Sequence, residues 1–248
     1  MKSIHKYLDI VFDKHDKDWD TVIAICGKVG VGKSHLGLHM LDYWQTKLNG
    51  ECKKEDIKHM CMTKKDFVTD LADCKIKEMT VYDEAGEIAS RSALSKFNKD
   101  LMVAYQIIRA DRLFTVLILP DIWYLDSYFR NSRIKALFYV TKRGSVFSWF
   151  GPNLKKLLEI NQFKMVKNYF VTKYQLRDKY PIYKGVLYRE YETMKKKKTS
   201  DARKKLKETK EDKINKITQG DIAEYLGVSQ QTVSRLRDNY SVKSISKM

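Results

Sequence analysis

The sequence predicts a three-layer α/β domain with a mostly parallel sheet, followed by a helical extension and a small all-α module. Three observations carry this. Short apolar runs, TVIAIC (21–26), EMTVYD (78–83) and LFTVLILP (113–120), have the length and composition of buried strands. Segments of helical period separate them, so strands and helices alternate over the first 150 residues. Beyond residue 150 the chain turns rich in tyrosine and lysine, and a compact amphipathic pattern returns only at 217–240.

Taken in order, residues 3 to 14 form a short amphipathic helix and TVIAIC the first strand. Residues 33 to 48 form the helix after it, and IKHMCM (57–62) a second strand. Thr63 with Asp66 marks a capping-box-like start for the helix KKDFVTDLADC. EMTVYD is the third strand. Leu94, Phe97, Leu101, Ala104, Tyr105 and Ile108 recur at helical spacing over 92–109. LFTVLILP is the fourth strand, closed by Pro120. ALFYVTKRGSVFSWF (136–150) reads as two strands about the turn Arg143-Gly144. Four parts follow: a domain over 1–150, a helical Tyr/Lys-rich extension over 151–194, a basic linker or exposed helix over 195–216, and a helical module over 217–248.

The 248 residues carry a net charge of +17, which points to a polyanionic partner: nucleic acid before an acidic membrane surface. A solvated basic surface is the bland alternative. No apolar run approaches the roughly 20 residues of a membrane span. The first twenty residues are too charged for a signal peptide, and four cysteines without a CxxC pair fit a reducing interior. A cytoplasmic protein is expected. Cys26 ends a strand and belongs to the core. Cys52, His59, Cys61 and Cys74 have spacings that fit no common zinc pattern.

The connection between the first strand and its helix is GKVGVGKSHL, 27 to 36. Gly27, Gly32, Lys33 and Ser34 match GxxxxGK[ST]. Glycines let the backbone of Gly27, Lys28, Val29, Gly30, Val31, Gly32, Lys33, Ser34 and His35 wrap a phosphate, and the helix N-terminus adds partial positive charge. Lys33 is suited to the β- and γ-phosphates of ATP and Ser34 to Mg²⁺. Downstream, the strand TVYD ends in Asp83, a second Mg²⁺ ligand, and Glu84 follows as the group to polarise an attacking water. A chance glycine turn and a surface Asp-Glu pair are the bland alternatives.

With these residues the chain resembles a P-loop NTPase of the additional-strand, catalytic-glutamate group over residues 20 to about 150. A strand at 57–62 between the Walker A and Walker B strands of the sequence, and the Asp83-Glu84 pair, carry the resemblance. DEAGE, FNKDL, QIIRADRL, ILP, LDSYFRNSRI and KRG look most like HerA/FtsK-like and zonular-occludens-toxin-like ATPases of archaeal viruses and mobile elements. The resemblance implies ATP and Mg²⁺ as cofactors, hydrolysis of ATP, and a homo-oligomer whose arginine fingers act in trans. Arg109, Arg130 and Arg133 are the candidates, Arg130 with Arg133 first; surface ion pairing is the bland alternative. One departure stands out. Such ATPases carry a polar sensor at the end of the fourth strand, where this chain has Leu119-Pro120-Asp121. Asp121 and Gln106 are the candidate replacements.

TQGDIAEYL–GV–SQQTVSRLRD has the pattern of a helix-turn-helix. Thr218 and Ser229 are N-caps, Gly227 sits in the turn, and Ile222, Ala223, Leu226, Val228, Val233 and Leu236 form the shared core. Ser229, Gln230, Gln231, Thr232 and Arg235 would then face the major groove of duplex DNA. An oligomerising hairpin is the alternative. Lys195, Lys196, Lys197 and Lys198 are suited to DNA phosphates without sequence preference. Tyr169, Tyr174, Tyr180, Tyr183, Tyr188 and Tyr191 are suited either to stacking on a single strand or to packing a lid. The leading expectation is a DNA-binding ATPase for replication, translocation or packaging. A nucleotide-gated transcription regulator and a nucleotide kinase with a DNA-binding tail are the alternatives.

Overall fold

The computed structural model describes residues 1–15, 20–83, 112–215, 224, 227 and 229–239. The chain divides into two compact units, Met1–Lys195 and Lys196–Met248.

The first unit is built on seven strands: β1 (Thr21–Cys26), β2 (Met60–Cys61), β3 (Met79–Asp83), β4 (Phe114–Leu119), β5 (Ile134–Lys142), β6 (Ser145–Phe150) and β7 (Leu176–Lys179). They lie in the order β2-β3-β4-β1-β5-β6-β7. The pairs β2–β3, β3–β4, β4–β1 and β1–β5 are parallel. The hairpin β5–β6 and the pair β6–β7 are antiparallel. The parallel part is covered on both faces, as such sheets require.

Helices α1 (Lys2–His15) and α2 (Lys33–Asn49) lie on one face, over Ile23, Ile25, Val81, Val116, Ile118 and Phe138. Helices α3 (Lys64–Asp73), α4 (Ser127–Ser132) and α5 (Gly151–Asn161) carry the side chains of the other face, over Val22, Ala24, Cys26, Tyr82, Leu117 and Leu137. The alternation of Val22, Ala24 and Cys26 with Ile23 and Ile25 follows the two-residue period of a strand. Cys26 is core, as expected. Fully buried Trp44 anchors α2; truncation of such a side chain costs about 3–5 kcal/mol.

Three features differ from the sequence reading. The expected strand 57–62 shrinks to Met60–Cys61, because Lys54–His59 coils into a 3₁₀ helix with Asp56 accepting from the Lys53 N–H at 2.7 Å. That strand separates β1 and β3 only in the chain; in the sheet β4 lies between them and β2 lies at the edge. The stretch 151–194 is not one helical extension. Helix α5 ends at Asn161, β7 joins the sheet, and α6 (Tyr188–Asn215) begins twelve positions before residue 200. The first unit therefore runs to Lys195 rather than to residue 150. The expected helix over 92–109, with Gln106 and Arg109, lies outside the described residues.

In the second unit, helix α7 (Gln230–Asn239) is preceded by Ser229, whose Oγ accepts from the Thr232 N–H at 3.3 Å, the expected N-cap. Gly227 takes a left-handed φ of 63°, as its place in a turn requires. The earlier helix of the expected pair is largely outside the described residues.

Candidate phosphate-binding site

The loop between β1 and α2 is held at its start by close packing. Gly27 has φ 148°, and a Cβ there would meet the Val140 carbonyl oxygen at 2.4 Å. Its N–H donates to the Pro120 carbonyl at 3.2 Å, which fixes the loop to the end of β4. Gly30 and Gly32 also lie in the left-handed region, at 81° and 93°. Gly32 caps α2 without a side chain. The first helical bond runs from Leu36 N–H to Gly32 O at 3.3 Å, so the N–H groups of Lys33, Ser34 and His35 have no intrahelical acceptor. This is the geometry in which a helix start binds an anion.

Lys33 folds back on the loop. Its Nζ donates to Gly27 O at 2.7 Å and Lys28 O at 2.9 Å. Burial lowers its pKa, while Cys26 and Asp83 act in the opposite sense. Asp83, at the C-terminal end of β3, is 4% exposed. The parallel ladder β3–β4–β1 brings it level with the loop. Glu84 lies outside the described residues.

A cavity of about 610 Å³ is lined by the loop from Val29 to His35, by Asp83, and by Arg143, Tyr180, Tyr191 and Lys195. The last four are missed by the motif reading, since they come from the β5–β6 turn and from the arm 176–195. Arg143 donates from Nε to Gly30 O at 3.2 Å. The Tyr180 hydroxyl donates to Gly32 O at 3.2 Å, and the Tyr180 N–H to Gly144 O at 3.0 Å. The Tyr191 hydroxyl donates to Asp83 Oδ2 at 3.0 Å and also meets the Ser34 side chain. Burial, with Asp83 beside it, pushes the Tyr191 phenol well up, so it stays a donor. The arm is further tied down by Tyr183 to Asp42 at 2.7 Å and by His39 Nε2 against Pro181 O at 3.0 Å. Tyr169, Tyr180, Tyr183 and Tyr191 are all buried, which makes them packing residues rather than a platform for bases.

Other predicted positions fall elsewhere. Arg130 is 6% exposed, donates to Leu125 O at 2.9 Å and stacks on Trp123 at 4.2 Å. A side chain buried in its own fold does not reach a neighbour's nucleotide, so the finger assignment of Arg130 is corrected to a packing role. Arg133 caps α4 and pairs with Asp20 at 3.4 Å. Asp121 is not a sensor facing the cavity: its carboxylate caps the 3₁₀ helix Ile122–Tyr124 through the Trp123 N–H and accepts from the Tyr169 hydroxyl. Lys195, expected among DNA-facing lysines, is exposed like Lys196 and Lys197 and also borders the cavity. Ser229, Gln230, Gln231, Thr232 and Arg235 are exposed on or beside α7.

No protein-family model matches the chain, and no curated protein matches its sequence. Among the described residues no helix is long and apolar enough to cross a membrane.

Proposed function

We propose that the chain is a P-loop-type, Mg²⁺-dependent ATPase that binds DNA through its C-terminal module and assembles into an oligomer. The observation that carries this is the convergence of a glycine loop, Lys33, Ser34 and Asp83 on one cavity. The strand order, with β4 between the loop strand and the Asp83 strand, supports the resemblance to additional-strand NTPases.

The residues fit a magnesium nucleotide. Ser34 and Asp83 line the same cavity, as two ligands of one hard cation need to. Ser34 and Asp83 would hold Mg²⁺, which when bound neutralises developing charge on the phosphates. The loop N–H groups and Lys33 bind and orient the triphosphate once Lys33 leaves its two carbonyls. Arg143, bonded to the Gly30 carbonyl, and Lys195 add positive charge to the lining. Glu84, next after Asp83, is the base that orients the attacking water. In the second unit, the exposed Gln230, Gln231 and Arg235 suit base edges, and Lys196, Lys197 and Lys198 suit backbone phosphates.

Steady-state ATP hydrolysis tests this, measured without DNA, with single strands and with duplex, beside Glu84→Gln and Lys33→Ala. The reading expects DNA-stimulated turnover that both variants lose. Slow turnover indifferent to DNA, with nucleotide still bound, favours a nucleotide-gated regulator. The absence of a polar residue from the end of β4 that faces the cavity is the observation on that side. Transfer to a small acceptor would instead show a nucleotide kinase.

A further inference from the structure

We propose that His59, Cys74 and Glu78, with the Asp70 carboxylate beside His59 and Cys74, bind one zinc-class transition-metal ion, at the β2 edge of the sheet and apart from the candidate phosphate cavity. One ligand atom from each of His59, Cys74 and Glu78 lies within 4.8 Å of the other two. His59 Nδ1 is 2.9 and 3.2 Å from the two carboxylate oxygens of Asp70. Cys74 Sγ is 3.8 Å from His59 Nδ1 and 3.7 Å from Asp70 Oδ2. Tetrahedral zinc, with bonds of about 2.0–2.3 Å, sets its ligand atoms roughly 3.3–3.7 Å apart. The separations of 3.2, 3.7 and 3.8 Å are close to three edges of that figure, and the 2.9 Å contact is a hydrogen bond that the ion would replace.

The donors come from four places. His59 ends the 3₁₀ helix, Asp70 lies within α3, Cys74 is its C-cap, and Glu78 precedes β3. Asp70 and Cys74 are four residues apart and so share one face of α3. This scatter explains why no zinc spacing is legible in the sequence. Of the four residues weighed there, His59 and Cys74 converge. Cys52 lies instead beside Asp42 and Asp56, its thiol pushed up to about 12 by burial and these charges.

A buried His59–Asp70 hydrogen bond explains the imidazole and one carboxylate, but not the thiol and the second carboxylate gathered on them. His59 and Asp70 are buried, and Cys74 and Glu78 half-buried. Burial first, then the Asp70 and Glu78 charges, raise the Cys74 thiol. A divalent cation reverses that balance. On binding, the thiol proton leaves to solvent and the imidazole coordinates through Nδ1 with its proton on Nε2. Glu78 Oε2 accepts from the Lys75 N–H at 2.8 Å, which orients the carboxylate. One nitrogen, one sulfur and carboxylate oxygens suit Zn²⁺ rather than Mg²⁺. The ion would staple an edge that otherwise rests on a two-residue strand.

The test is titration of the chelator-stripped, full-length protein with Co²⁺ and then Zn²⁺. The proposal expects about one equivalent bound, a thiolate-to-cobalt absorption band, the strong visible bands of tetrahedral cobalt, and displacement by Zn²⁺. Cys74→Ser loses the thiolate band and Cys52→Ser keeps it. Zinc raises the melting temperature of wild type and of Lys33→Ala alike. A weak octahedral spectrum, a thiolate band that survives Cys74→Ser, or a melting temperature indifferent to zinc overturns the proposal. Should Cys74→Ser not fold, the wild-type cobalt spectrum decides alone. No nucleotide enters this readout, so its failure leaves the phosphate-site reading untouched.

Discussion

The hydroxyl of Tyr191 donates to Asp83 Oδ2 at 3.0 Å, across 108 positions of sequence. Tyr191 lies in the first turn of α6 and is 3% exposed. Its hydroxyl also meets Ser34. The phenol thus gives its single proton to Asp83 and stands beside Ser34, the two side chains that a magnesium ion would use. Metal binding and this tyrosine contact compete for the same oxygens.

Tyr191→Phe follows from that competition. It keeps the ring in the core and removes the hydroxyl. A hydrogen bond to a charged group contributes about 1.5–3 kcal/mol, so Mg²⁺-dependent nucleotide binding should tighten by about tenfold. Binding measured without Mg²⁺ should change far less. Calorimetric titration of both proteins with and without Mg²⁺ checks this. Weaker magnesium binding in Tyr191→Phe would show that the phenol instead positions Asp83.

The loop glycines should differ sharply in tolerance. Alanine at Gly27 meets the Val140 carbonyl at 2.4 Å and a φ of 148°, so Gly27→Ala should cost more than about 3 kcal/mol. At Gly30 nothing lies within 4 Å, and only the φ of 81° is unfavourable. Gly30→Ala should cost about 1–2 kcal/mol. Denaturant midpoints of the two variants measure the difference, and equal losses would mean the loop does not pack on β5 as described.

Arg130→Ala separates packing from catalysis in trans. It removes a buried cation, its bond to Leu125 O and its stack on Trp123. Stability should fall by about 2–4 kcal/mol, with turnover per folded molecule unchanged. Thermal melts beside active-site-normalised rates test this. A rate loss of ~10³-fold without a drop in melting temperature would restore the finger.

Acid should loosen the face that carries the arm. His35 and His39 both have pKa values lowered, chiefly by burial. For His39 the Pro181 carbonyl and Asp42 oppose the shift, and the N-terminal ammonium adds to it. The unfolded chain therefore binds protons more readily. Stability from these groups is intact above the ordinary histidine pKa near 6.5 and declines as pH falls below it. His39→Gln should flatten the decline between about pH 7 and pH 5, read as melting temperature against pH. An unchanged slope would assign the acid sensitivity elsewhere.

The sequence-legible parts of this molecule are those written in adjacent residues. TVIAIC and GKVGVGKSHL give a buried strand, a loop and a helix start from local chemistry, and Thr63 and Ser229 cap where their side chains predict. What escapes is spatial order. Nothing in LFTVLILP says that it slots between two earlier strands. The strand LRDK has four residues and one apolar side chain, too little to show a period. Tyr180 and Tyr191 sit in a Tyr/Lys-rich stretch whose composition hides which hydroxyls turn inward. Arg130 looks like a surface arginine because burial of a guanidinium depends on Trp123 and a distant carbonyl.

Calorimetric titration of Mg·ATP into wild type and Lys33→Ala tests the central claim most directly. The account predicts saturable micromolar binding to wild type, with one site per chain. It predicts loss of that binding in a Lys33→Ala protein that still melts cooperatively. Absence of binding to wild type, or equal binding to both proteins, would contradict it.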